Sequence, residues 1–133
     1  MTSPIERTVA LFEMHDRSAA LAQLGEWRLE RALEKLDAVL ADTLSPVTGG
    51  GHDHQIDRTP GNAEIVAVLQ GVDRHEALGR LQTAIARFQH DTGLRVLSAW
   101  CHDDSGNRPL GAMFACAEQA MHQRRSEVLA EAA

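Results

Sequence analysis

Three glutamates, Glu13, Glu30 and Glu64, stand far apart in a chain of 133 residues, each within or beside an apolar run. Carboxylate oxygens are the ligands that hard divalent cations prefer. A fold that brought the three together would therefore form a candidate metal cluster. The alternative, which we favour from the sequence, is that Glu30 and Glu64 are ordinary solvated carboxylates.

Histidine and cysteine offer a second kind of site. The "HDH" at 52–54 and the adjacent Cys101 and His102 are ligand types that zinc accepts. Their spacing matches no zinc finger or ribbon, and a glycine-flanked histidine pair is typical of a loop. His15 beside Asp16 has the composition of an acid–base pair, but no nucleophile accompanies it, so we interpret it as a surface pair or helix cap.

Hydrophobic periodicity predicts the elements that position these residues. Apolar runs predict four strands, at 8–14, 54–58, 64–69 and 94–101. A helical period predicts three helices, from 18 to 42, from the cap Asp73 to Gly93, and from Pro109 onwards. In the first helix we expect a buried stripe of leucines: Leu21, Leu24, Leu29, Leu33, Leu36 and Leu40.

This order of elements predicts an α+β, ferredoxin-like fold. Such a fold has an antiparallel βαββαβ sheet with helices on one face, here with an added C-terminal helix. The length fits one modest core, so residues 1–133 are interpreted as a single domain.

A resemblance to a known family follows from this order. Beginning at Gly61, "GNAEI" and the following "VAVLQGVDRHEAL" resemble the signature hairpin of GGDEF domains, the diguanylate cyclases. "ALFEMHDRSAALAQLG" resembles the family's metal-binding strand and guanine-binding segment, and "LGAMFACAEQAMHQRR" its last helix. The resemblance implies the nucleotidyl-cyclase palm form of the fold, N-terminally truncated because only about ten residues precede the first strand.

The resemblance also implies that metal binding is degenerate. The family's first metal carboxylate maps to Glu13, and its second maps to Ala63, which has no ligand atom. Asn62 replaces the signature's second glycine and places a side chain where backbone must approach a phosphate. Glu64 fits the fourth position of the signature, and Ile65 replaces its phenylalanine.

The resemblance to the family also implies that the nucleotide-binding positions have changed. The family's guanine-reading asparagine maps to Leu21, which cannot pair with a base edge. The aspartate that assists it maps to Glu30, and the phosphate-binding lysine near the last helix maps to Arg125. The family's product-inhibition site maps to His52 and Gln55, which implies that it is absent.

Charge and composition exclude several classes of protein. The net charge of −6 argues against binding to nucleic acid or to an anionic membrane. No apolar run is long enough to span a membrane, and the N-terminus does not resemble a signal peptide. We therefore expect a cytoplasmic protein whose two thiols, Cys101 and Cys116, are reduced.

Three functions remain compatible with the sequence. We favour a catalytically inactive GGDEF-like regulatory module that makes protein–protein contacts in bacterial cyclic di-GMP-linked signalling and needs no metal or cofactor. The short N-terminal segment predicts an uncovered apolar surface, which a second copy or another signalling protein would cover. The alternatives are a domain that binds GTP or cyclic di-GMP without turnover, and an unrelated ferredoxin-like small-molecule or metal-binding protein.

Overall fold

The computed structural model describes residues 6–44, 55–58 and 64–132. The elements in chain order are β1 (Arg7–Met14), α1 (Arg17–Leu44), β2 (Gln55–Arg58), β3 (Glu64–Gln70), α2 (Arg74–Thr92), β4 (Val96–Asp103) and α3 (Leu110–Ala132). The four strands form one antiparallel sheet in the order β2-β3-β1-β4. The predicted βαββαβ order and the added C-terminal helix are confirmed, and the element ends shift by only a residue or two.

Both faces of the sheet are covered. Phe12 of β1 faces α1 and α2, whereas its neighbour Leu11 faces α3. This is why β1 is almost continuously apolar, since a strand buried on both faces has no solvent side. The core on the α1 and α2 side contains large buried side chains, among them Leu33, Leu36, Ile65, Leu69, Leu81 and Phe88. The core on the opposite side is built with α3 and contains Val9, Val68, Met113, Ala117 and Met121.

Helix α2 begins and ends where its sequence predicts. The Asp73 carboxylate accepts a hydrogen bond of 2.8 Å from the backbone N–H of Glu76 and so caps the first turn. Gly93 ends the helix in the left-handed conformation, with φ 74°, and its N–H donates to the Gln89 carbonyl. These two caps set the point at which the chain enters β4, one of the two edge strands of the described sheet.

Helix α1 is interrupted at Gly25. The predicted burial of its leucine stripe is not observed for Leu21, which precedes Gly25. Gly25 has φ 81° and ψ 164°, a conformation that is essentially restricted to glycine. Leu21 is 36 % exposed and not buried as predicted, whereas Leu29 and Leu40, beyond the break, are buried. The prediction for Leu21 was wrong because the break rotates the first turns out of phase with the rest of the helix.

The helices in the described part of the chain carry too many polar side chains for any of them to be a candidate membrane span.

Candidate functional site

Two of the predicted carboxylates lie side by side at one end of the sheet. Glu13 of β1 and Glu64 of β3 are directly opposed in the antiparallel register. They share the sheet face of Leu11 and Val68, which is the face that α3 covers. Like charges in directly opposed positions destabilise a sheet, so this pair requires a cation nearby.

Arg125 of α3 provides that cation. Its Nε donates to Glu13 Oε2 at 2.6 Å and its Nη2 donates to Glu13 Oε1 at 3.1 Å, so the pair is bidentate. The same Nη2 lies 3.9 Å from Glu64 Oε2. We call Glu13, Glu64 and Arg125 the Glu–Arg–Glu cluster. In the described residues, Glu30 does not join it to form a three-carboxylate group.

The cluster changes the acidity of its members. Partial burial raises the pKa of Glu64 above its ordinary value, the nearby Glu13 carboxylate raises it further, and Arg125 only partly offsets both. The hydrogen bond to Glu13 raises the pKa of the Arg125 guanidinium. Arg125 therefore stays charged, whereas the ionised form of Glu64 is less favourable in the folded protein than in the unfolded chain.

Leu21 and Glu30 meet in a neighbouring pocket on α1. This pocket, of about 540 Å³, lies along the turns on either side of the Gly25 break and is also lined by Arg17, Glu26 and Trp27. We call it the α1 pocket. A second pocket of about 400 Å³ lies beside Glu13 and Arg125 and is likewise lined by Arg17. The positions assigned to nucleotide and metal thus lie next to each other, although their vestigial roles remain predictions.

Two features of this region were missed from the sequence. Trp27 is 70 % exposed, and the Arg31 guanidinium lies 5.2 Å from its ring centroid. Leu129 is 72 % exposed and lines the pocket beside Glu13. A signal for Trp27 was present, because it lies four residues before Arg31 on the polar side of the helix.

The histidine candidates do not assemble a catalytic or metal site in the described residues. His102 is bonded on both ring nitrogens, to Thr8 Oγ1 at 2.7 Å and to Glu6 Oε2 at 3.1 Å. This resembles an acid–base relay, but Thr8 is completely buried and its hydroxyl cannot reach a substrate. Asp16 caps α1 by accepting from Ala19 N at 3.1 Å, which agrees with its interpretation as a helix cap. The "HDH" at 52–54 lies outside the described residues.

No protein-family model and no curated protein matches the chain. Solved structures do match it. The GGDEF domain of FimX from Pseudomonas aeruginosa aligns with a TM-score of 0.73 over 92% of this chain and 76% of that chain, at 14% identity. The GGDEF domain of DgcB from Caulobacter crescentus, solved in complex with c-di-GMP, aligns with a TM-score of 0.66 over 92% of this chain and 74% of that chain, at 9% identity. The chain has the fold of a GGDEF domain. At these identities the likeness concerns the fold alone.

The GGDEF fold implies a divalent metal, and the residues described here do not fit one. Both carboxylate oxygens of Glu13 already accept hydrogen bonds from Arg125. No group of three histidine, cysteine, aspartate or glutamate side chains converges within the described parts of the chain. The signature residues Gly61, Asn62 and Ala63 lie outside those parts, and an alanine side chain offers no ligand atom. The Arg125 guanidinium brings a positive charge to the two carboxylates.

Proposed function

We propose that this chain is a GGDEF-fold module that lacks cyclase chemistry and acts through protein–protein contact in bacterial cyclic di-GMP-linked signalling. The observation that carries the proposal is the bidentate pairing of Arg125 with Glu13, 3.9 Å from Glu64. A metal bound to Glu13 would compete with this charge-assisted pair and would place a divalent cation beside the guanidinium. The loss of the second metal carboxylate at Ala63 supports the same conclusion.

The pairing also removes a phosphate contact. Arg125 occupies the position predicted to bind phosphate, and its fork of N–H donors is directed at Glu13 instead. An Arg that already neutralises a carboxylate attracts a nucleotide phosphate much less strongly than an unpaired cation does. Among the described residues, the pairing of Arg125 with Glu13 thus disfavours a triphosphate at this end of the sheet.

Exposed apolar side chains line the two pockets described above. Leu21 and Trp27 line the α1 pocket, Leu129 lines the pocket beside Glu13, and Arg17 lines both. Trp and Arg are the side chains most enriched among residues that dominate binding at protein interfaces. We call Leu21, Trp27 and Leu129 the apolar rim, and we assign it to contact with a second copy of the chain or with another signalling protein.

A second candidate function is favoured by the α1 pocket. Its volume of about 540 Å³ is within the range of small-molecule sites. The Trp27 indole offers a stacking surface, and the carboxylates of Glu26 and Glu30 are acceptors that suit the N–H edge of guanine. The chain would then bind GTP or cyclic di-GMP without converting either.

Titration calorimetry with GTP and with cyclic di-GMP, in the presence of Mg²⁺, separates the two functions. A contact module is expected to give no binding heat with either nucleotide. Saturable binding that Glu30→Ala weakens at least tenfold would replace the contact function with the nucleotide-receptor function.

We expect Trp27→Ser to weaken self-association, because it removes the largest exposed apolar side chain of the apolar rim. Sedimentation at increasing concentration should show a wild-type mass that rises above one chain, and a variant that stays monomeric over the same range. Leu110→Ser is the matched control, since Leu110 is 37 % exposed but lines neither pocket of the rim. A wild-type chain that is monomeric at all concentrations would exclude a second copy as the partner.

A further inference from the structure

The two cysteines lie together at a place that the proposed function does not use. Cys101 of β4 opposes Val9, whereas Glu13 opposes Leu97, so the cysteines lie towards the other end of the sheet from the Glu–Arg–Glu cluster. Cys101 and Cys116 both line a cavity of about 770 Å³. The two thiols are near enough that Cys116 influences the pKa of Cys101, although one belongs to β4 and the other to α3.

The two thiols differ in their access to solvent. Cys101 is buried at 5 % exposure, whereas Cys116 is exposed. Burial, together with the interaction in which the Cys101 thiol donates to Cys116, raises the pKa of the Cys101 thiol. Cys116 can therefore meet a small solute first, while Cys101 stays protonated and shielded behind it.

Arg108 lies in the same cavity wall as both cysteines. Its Nη1 donates to Cys101 Sγ at 3.3 Å. A positive charge beside a cysteine stabilises the thiolate, which is the nucleophilic form. Arg108, which lines the same cavity as the two cysteines, can thus provide the positive charge that favours a reactive thiolate.

The loop between β4 and α3 holds Arg108 in this position. The Asp103 carboxylate accepts from Arg108 N at 2.8 Å, from Ser105 N at 3.0 Å and from Ser105 Oγ at 2.6 Å. These hydrogen bonds lower the pKa of Asp103 to about 2, so the carboxylate stays charged at neutral pH. The loop therefore folds around the charged Asp103 carboxylate, and the hydrogen bond from Arg108 N fixes the backbone of Arg108 just before α3.

We propose that Cys101, Cys116 and Arg108 form a peroxide-reactive dithiol site, in which oxidation joins β4 to α3 by a disulfide. The Cys116 thiolate attacks one oxygen of hydrogen peroxide, the O–O bond breaks, and the departing hydroxide takes a proton to become water. The resulting sulfenic acid is attacked at sulfur by Cys101, which loses its proton as the S–S bond forms and a second water leaves. Overall, two thiols and one peroxide give one disulfide and two waters.

The inference does not depend on the proposed function, because none of these residues belongs to the Glu–Arg–Glu cluster or the apolar rim. Its test uses the full chain, purified reduced and then exposed to hydrogen peroxide. Intact mass spectrometry is expected to show a loss of about 2 Da, the signature of one intramolecular disulfide. Cleavage at Asp103 and Asp104 separates the cysteines, so the two peptides should remain linked until a reductant is added. The oxidised chain should also melt several degrees higher, because the crosslink restricts the unfolded chain.

Two variants make the test specific. Cys116→Ser, a change at an exposed position, should fold normally and leave Cys101 as an unmodified thiol under the same peroxide treatment. Arg108→Gln should slow disulfide formation about tenfold or more, and Arg108→Lys should recover part of the rate. Stepwise oxygen addition without a linked peptide, crosslinking only between chains, or an unchanged rate in Arg108→Gln would each overturn the proposal.

Discussion

Gly25→Ala is expected to destabilise the fold by about 2 kcal/mol, measured as the free energy of unfolding in urea. The cause is the backbone, because a Cβ at this position would have open space and meets no atom within 4 Å. The φ of 81° and ψ of 164° at Gly25 are strained for any residue with a side chain. The variant must either bear that strain or straighten α1, and straightening would rotate Leu21 relative to the buried Leu29.

Gly79→Ala is the matched control for this change. Gly79 is an exposed residue inside α2, and an added Cβ would again meet nothing within 4 Å, but its φ is not positive. Alanine in a regular helix is favoured, so this variant should gain about 0.5–1 kcal/mol. Equal effects of the two substitutions would contradict the interruption of α1 at Gly25.

Arg125→Met is expected to destabilise the fold by about 1–2 kcal/mol at pH 7. The variant retains an apolar stem but leaves the opposed carboxylates Glu13 and Glu64 without their shared cation. We place the value below that of a fully buried ion pair because the Arg125 side chain is 41% exposed. Arg124→Met is the control. Arg124 pairs with the exposed Glu127 on the same helix, and its loss should cost no more than about 0.5 kcal/mol.

The loss of unfolding free energy caused by Arg125→Met should depend on pH. The folded-state pKa of Glu64 is already raised above its unfolded value, and the loss of Arg125 removes a cause that lowers it. A carboxyl group with a raised folded pKa contributes stability below the unfolded pKa and loses it as the pH rises through the folded pKa. The difference between variant and wild type should therefore be largest at pH 7 and shrink as the pH falls through the raised folded-state pKa of Glu64 towards its ordinary value of 4.5. A deficit that stays constant between these pH values would show that Arg125 acts through packing and not through charge.

The elements were predictable because local signals decide them. The apolar run of β1, the Asp73 cap and the Gly93 terminus are each readable within a few residues of sequence. Leu21 was misplaced because a periodicity argument assumes a continuous helix. Gly25, an isolated glycine inside a helical pattern, was the available warning.

The site was only partly predictable, for a different reason. Glu13 and Glu64 become neighbours through the register of β1 with β3, two strands that are distant in the sequence. Their cation comes from the far end of α3, and which donor reaches them depends on where that helix crosses the sheet. The sequence assigned Arg125 to phosphate because no local pattern records a contact across more than a hundred residues.

The most direct test of the central claim is an assay of GTP conversion. The full chain is incubated with GTP and either Mg²⁺ or Mn²⁺, and the nucleotides are separated and quantified over time. We expect no cyclic di-GMP or other product above a protein-free blank, in the wild type and in Glu13→Ala alike. Formation of cyclic di-GMP at a rate that Glu13→Ala abolishes would show that Glu13 still binds metal and would contradict the account.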